Sequence, residues 1–228
     1  MPSQLTFAVN CSSPLAGPAL DSLPQLLARN PFGQYSEWID DSERAGGDAQ
    51  TYSEAALRKI LHAKSQWNIT VVGQIEGGSL SANLMQRARG ATISVSVDNE
   101  RLKTEYELFL NYARSWLQTL PNVSSGRIFD PNDDVANVHR RHNIGTPPAC
   151  FTTHLRWVHF LAPSYYTLFL TTEDLLAAPA YSVEQVHGGI VALRNYADPF
   201  AGSDPANLRR LTALTEYLQA RDLFLRNR

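Results

Sequence analysis

The stretch NITVVGQIEGGSLSANLMQRARGATISVSV, residues 68–97, decides the fold. Asn68–Ile75 alternates through Ile69, Val71 and Ile75, and Ala91–Val97 sets Ile93, Val95 and Val97 against Thr92, Ser94 and Ser96. Leu80–Arg87 lies between them, set off by Gly77-Gly78 and Arg89-Gly90. Period-two alternation between turn signals predicts an antiparallel meander with one buried face.

The clearest helical pattern follows directly. From Glu100 to Leu120, the apolar positions Leu102, Tyr106, Phe109, Ala113, Trp116, Leu117 and Leu120 form one stripe, closed by Pro121-Asn122. Before the meander, Leu5–Val9 reads as a first strand. Ala19–Arg29 reads as a helix carrying Leu20, Leu23, Leu26 and Leu27, stopped by Asn30-Pro31. Tyr35–Thr51 has little periodicity and reads as an exposed loop. Ser53 then caps a helix with Glu54 in its first turn and Leu57, Ile60 and Leu61 on one face.

Beyond the long helix, Val123–Phe129 and Leu155–Leu161 read as strands, and Tyr165–Ala178 mixes a helical turn with apolar runs. Val183–Val186 and Ile190–Leu193 form a hairpin about Gly188-Gly189. Asp204-Pro205 opens a last helix, reaching about Phe224 and burying Leu208, Leu211, Leu214, Thr215 and Leu218. Interspersed helices and hairpin-like strands predict an α+β fold, mainly an antiparallel sheet with several packed helices, as a single domain over 1–228. The break Gly145-Thr146-Pro147-Pro148 marks where a subdomain boundary near 143–150 would fall, but each half would then hold an incomplete strand set.

Composition narrows the class. The 228 residues carry 20 basic and 22 acidic side chains, a net charge of −2, which argues against a surface built to hold nucleic acid directly or a polybasic membrane surface. Two cysteines exclude a disulfide scaffold and a four-cysteine zinc site. No basic start leads into an apolar signal segment, and no run approaches the roughly 18 apolar residues of a membrane span, so the expected location is cytoplasmic.

The search for catalytic patterns returns little. His139 and His142 share a helical face, and with Asp133 or Asp134 they could surround a metal in a small hydrolase, yet Arg140 and Arg141 between them would repel the cation. Cys150 and His154 are four residues apart, about 13 Å along an extended strand and too far for a thiol–imidazole pair. His159, within a strand, reads as a hydrogen-bonded interior residue. Neither glycine pair has phosphate-loop spacing and no nucleophile elbow is present. The expectation is a protein without catalytic residues or cofactor.

Charge placement is more informative. Between Tyr35 and Glu54 six acidic residues stand against the single Arg44, while Pro205–Arg228 holds five arginines against two acids. An acidic segment with an aromatic residue at its edge suits a protein interface, so Glu37, Trp38, Asp40, Asp41, Glu43 and Asp48 are the candidate contact residues.

The order of the C-terminal half adds a resemblance. Strand Leu155-Arg156-Trp157-Val158-His159-Phe160-Leu161 is followed by Ala162-Pro163 and an apolar helix-like stretch. Tyr181–His187, Gly188-Gly189-Ile190-Val191-Ala192-Leu193, Asp198-Pro199-Phe200 and a Leu-rich helix then complete it. Over Thr153–Leu218 this resembles the immunity protein 52 family of bacterial polymorphic-toxin systems. The resemblance implies a cytosolic α+β protein without catalytic activity. Its partner would be a cognate, restriction-endonuclease-like nuclease toxin delivered by type VI secretion, neutralised by stoichiometric contact.

Overall fold

The computed structural model describes residues 3–41, 47–132, 155–167 and 170–221. The chain divides into two units, Met1–Val123 and Ser124–Arg228. The first runs β1 (Gln4–Cys11), α1 (Pro18–Ala28), β2 (Glu37–Asp40), β3 (Gln50–Thr51), α2 (Glu54–Ala63), β4 (Trp67–Ile75), β5 (Gly78–Arg87), β6 (Gly90–Asn99) and α3 (Leu102–Thr119). The second runs β7 (Val123–Phe129), β8 (Val158–Leu161), α4 (Pro163–Tyr166), α5 (Thr172–Leu176), β9 (Ser182–Gln185), β10 (Val191–Arg194) and α6 (Pro205–Gln219). The strand pairs within each unit are antiparallel, and the chain is α+β, as the patterning predicts. No helix among the described residues is long and apolar enough to cross a membrane.

In the first unit the strand order is β3-β2-β4-β5-β6-β1. The register aligns Trp38, Val71, Ala82, Val95 and Phe7 in one row across five strands, and all five are buried. The next inward row is Asp40, Ile69, Leu84, Ile93 and Val9. Alternation turns the polar set outward: Thr70, Asn83 and Ser94 share one row, and Ser81, Ser96 and Thr6 another. Cross-strand hydrogen bonds tie this face together, from Asn83 Nδ2 to Asn68 Oδ1 at 3.3 Å and between Thr6 Oγ1 and Ser96 Oγ at 2.8 Å. The apolar alternation of the sequence therefore identified the inner face correctly.

Helices α1, α2 and α3 carry the apolar stripes that complete this core. Ser53 caps α2 by accepting from Ala56 N at 3.1 Å, and Leu57 and Leu61 are buried while Ile60 is half-buried. In α3 the buried set is Leu102, Phe109, Leu110, Tyr112, Ala113, Trp116 and Leu117. Tyr106 is half-buried, and Leu110 and Tyr112 extend the stripe because α3 meets α1 as well as β1. The Tyr112 hydroxyl donates to Leu26 O on α1 at 3.0 Å, and Phe109 sits 6.2 Å from Phe32, ring centroid to centroid. Gly73 lets the chain before β2 cross β4 closely, since a Cβ there would lie 2.3 Å from Gln34 O.

One expectation fails in this unit. Tyr35–Thr51 is not simply an exposed loop: Glu37–Asp40 pairs with β4, and Gln50–Thr51 pairs back onto β2. The segment lacked legible periodicity because four residues supply too few alternations, and only the register with β4 shows which face is inward.

In the second unit the order is β7-β8-β10-β9. All four residues of β8 are buried, as are Val191, Ala192 and Leu193 of β10, so these central strands are covered on both sides. The strand expected over Leu155–Leu161 is shorter: Trp157 O still accepts from Asn195 N at 2.8 Å, but the main chain of Arg156 is held by side chains instead of a ladder. His159 Nε2 accepts from Arg156 N at 2.6 Å, and buried Asn195 donates to Arg156 O. This is the interior, hydrogen-bonded role expected of His159. Gly188 and Gly189 adopt φ 68° and 77°, left-handed values that favour glycine, in the connection between β9 and β10. Asp204 caps α6 by accepting from Ala206 N at 2.7 Å. Leu211, Leu214 and Leu218 are buried, whereas Leu208 and Thr215 are half-buried.

Candidate partner-binding surface

The acidic segment separates into inward and outward residues once β2 is placed. Trp38 is 5% exposed and lies in the inner row, so it anchors β2 to the core and does not stand at the rim of a loop. Asp40 shares that inward parity two residues on, and its carboxylate receives Lys64 Nζ at 2.6 Å, close to the end of α2. The pair neutralises a charge whose side chain is only 15% exposed, which water alone would solvate poorly. Asp40 therefore fastens the sheet edge to α2.

Glu37, Asp41 and Asp48 are exposed. Glu37 sits in the outward row with Val72, Ser81, Ser96 and Thr6. Asp41 follows β2, its N–H donating to Asn68 O at 2.7 Å and its carboxylate accepting from Thr70 Oγ1 at 2.6 Å. Gly47 N returns to Asp40 O at 3.2 Å, which brings the chain carrying Asp48 back beside β2. Three carboxylates thus stand at one edge of a polar sheet face whose side chains are mostly short. A groove of about 530 Å³ opens beside Asp41, and Lys64 and Arg87 among its lining residues give it both signs of charge. Glu43 lies outside the described residues.

The metal-hydrolase candidates Asp133, Asp134, His139 and His142 also lie outside the described residues, as do Cys150 and His154. Among the described residues no group of three or more His, Cys, Asp or Glu side chains is placed to hold a metal ion. Cys11 is buried, and burial pushes its thiol up to about 11, the opposite of an activated nucleophile.

The second unit presents a feature that local sequence patterns do not signal. Arg194 lies 5.2 Å from the Trp157 ring centroid and 5.6 Å from that of Tyr181, and Arg210 lies 5.7 Å from Tyr181. The stack joins a pre-strand residue, the approach to β9, the end of β10 and the second turn of α6. Nothing within a short window of sequence could assemble it. Tyr181 is 49% exposed, so the platform faces solvent.

No protein-family model matches the chain, and no curated protein matches it either. Its fold is similar to that of the Pseudomonas aeruginosa T6SS protein PA0821, with a TM-score of 0.65 over 96% of this chain and 74% of that chain, at 13% identity. A looser match is the toxic C-terminal tip of CdiA from Pseudomonas aeruginosa in complex with immune protein. Its TM-score is 0.37 over 58% of this chain and 91% of that chain, at 8% identity, and likeness at that level carries no argument. The first match establishes the fold alone.

Proposed function

We propose that this chain is an immunity protein that binds a cognate nuclease toxin of a type VI secretion system and neutralises it stoichiometrically in the cytoplasm, without catalysis of its own. The observation that carries the reading is the fold likeness to a T6SS protein along nearly the whole chain. The resemblance of Thr153–Leu218 to the immunity protein 52 family supports it from the sequence side. So does the chemistry of the exposed edge. A nuclease holds its polyanionic substrate with Lys and Arg, and Glu37, Asp41 and Asp48 offer that same surface a set of exposed carboxylates.

Charge reversal at those three positions tests the role of the edge. Glu37→Lys, Asp41→Lys and Asp48→Lys together should weaken toxin binding about tenfold or more at low salt, chiefly by slowing association. The salt dependence of the affinity should flatten as well. Asp40 is left out because its replacement would also break the pair with Lys64. Titrations at two salt concentrations that return the wild-type affinity for the triple variant would remove this edge from the interface.

A further inference from the structure

The first unit has two unlike sides. Its inner rows are buried, whereas the outward positions of β2, β4, β5 and β6 are half-buried or exposed. At β1 the outward Thr6 and Ala8 are buried, so the open stretch spans four strands. On β5 and β6 its central rows pair Ser81 with Ser96 and Asn83 with Ser94. Charge divides along the same line. Glu37 on β2, Asp41 just past it and Asp98 on β6 put carboxylates around the open face. Arg87, the last residue of β5, is the one basic side chain at an outward position of these four strands. The three lysines, Lys59, Lys64 and Lys103, all lie in the helical layer, on α2, at its C-terminal cap and on α3.

This distribution selects what can cover the face. Two copies of the chain meeting face to face would set Glu37, Asp41 and Asp98 against the same carboxylates of the second copy, since a two-fold interface uses one patch twice. Like charges brought together in an interface oppose it. The phosphates of a nucleic acid meet the same repulsion, and a small ligand takes a concave site instead of an open sheet face. A protein surface rich in Lys and Arg is complementary to it. The size fits as well. Four strands about 4.8 Å apart and up to ten residues long span roughly 20 by 30 Å, about 600 Å², most of the ~800 Å² that each partner gives a standard-size interface.

We propose that the outward face of β2, β4, β5 and β6 is the surface on which the toxin seats its basic, nucleic-acid-binding side, with Glu37, Asp41 and Asp98 at the rim and Ser81, Asn83 and Ser94 at the centre. Short side chains lose less rotamer freedom on burial than Lys, Arg, Glu or Gln, so covering the centre costs little order. Asn83 Nδ2 already donates to Asn68 Oδ1 at 3.3 Å and to Thr70 Oγ1 at 3.4 Å, which fixes part of the face before the partner arrives. The rim carboxylates steer encounter, and the covered centre sets how long the complex lasts. The assignment rests on the immunity reading for the identity of the partner.

The test uses the full chain and the product of the neighbouring gene, the proposed toxin. Ser81→Arg and Ser94→Arg each place a long cationic side chain at the centre of the face. Both serines are half-buried at outward positions, so circular dichroism should be unchanged. Each variant should weaken toxin binding about tenfold or more, chiefly by faster dissociation, whereas the edge reversals act on association. Gln118→Arg, on the exposed side of α3, should bind as wild type does. Met85 stands on the same face opposite Asn68 and Thr92, and its oxidation by hydroxyl radicals should slow in the wild-type complex, a readout that does not depend on any variant folding. Toxin binding that both arginine variants retain, with Met85 oxidised as fast in the complex as alone, overturns the face assignment and leaves the immunity reading standing. A wild-type dimer that Ser94→Arg dissolves, with Met85 shielded before toxin is added, also overturns it. A wild-type chain that does not bind the toxin overturns the immunity reading and this assignment with it.

Discussion

Replacing Trp157 with alanine should destabilise the second unit by about 3–5 kcal/mol, the usual cost of deleting a large buried aromatic side chain. Trp157 is 0% exposed, its indole N–H donates to Tyr196 O at 2.8 Å, and its own carbonyl accepts from Asn195 N at 2.8 Å. Alanine keeps the main-chain bond but empties the site of the ring and removes the indole's hydrogen bond to the Tyr196 carbonyl, which also accepts from Arg194 Nε at 3.4 Å. It also takes from Arg194 a ring it stacks on. Since domains are stable by only about 5–15 kcal/mol, the loss is a large share of the total. Chemical denaturation of the full chain should show it as an earlier transition. Trp157→Phe should keep most of the packing and lose roughly 1–2 kcal/mol with the hydrogen bond. A Trp157→Ala protein within 1 kcal/mol of wild type would mean that this ring does not organise the unit.

Alkaline pH should unfold the first unit steeply, starting above about 10, where an unburied tyrosine ionises. Tyr35 and Tyr112 are 6% and 5% exposed, and burial raises both hydroxyls well above their ordinary range. Tyr52 stacks on Tyr35 at 5.9 Å and is pushed up to about 12, again mainly by burial. A folded-state pKa above the unfolded one leaves stability intact below the unfolded value. That stability is lost as pH rises, because only the unfolded chain releases the proton. Each group contributes about 1.4 kcal/mol per pH unit in that window, so Tyr35 and Tyr112 together give a slope near 3 kcal/mol per unit. Denaturation midpoints should be flat from neutrality to about pH 8.5, begin to fall near 9 as the buried Cys11 thiol adds its share, and fall steeply above 10, with the tyrosinate absorbance of Tyr35 and Tyr112 appearing together with unfolding. Tyr35→Phe and Tyr112→Phe should reduce the slope. A folded chain whose tyrosinate absorbance near pH 10 is reduced by Tyr35→Phe or Tyr112→Phe would contradict the burial of these hydroxyls.

What could be read from the chain beforehand follows the length of its patterns. The run 68–97 supplies many alternations, and β4, β5 and β6 begin and end within two residues of the bounds it predicts. The caps Ser53 and Asp204 act within a few residues and were equally legible. β2 was not, because four residues do not announce a period and its inward face is set by pairing with Thr70 and Val71 on β4. That one register explains the changed roles of two candidate residues, Trp38 as a core anchor and Asp40 as an ion-paired fastener. Net charge per segment counted Asp40 as part of a free acidic surface, whereas the fold brings Lys64 to it from the end of α2. The arginine–tyrosine platform and the outer place of β9 among the described strands were illegible for a similar reason. They depend on which strand ends the sheet and on which helix turn passes Tyr181.

The most direct test of the immunity reading is co-expression of this chain with the product of the neighbouring gene, the proposed toxin, followed through growth and co-purification. The account predicts that the toxin alone arrests growth, that this chain restores it, and that the two proteins elute together as a stable complex in fixed ratio. Growth arrest that persists despite full expression of this chain, with the two proteins eluting separately, would contradict it.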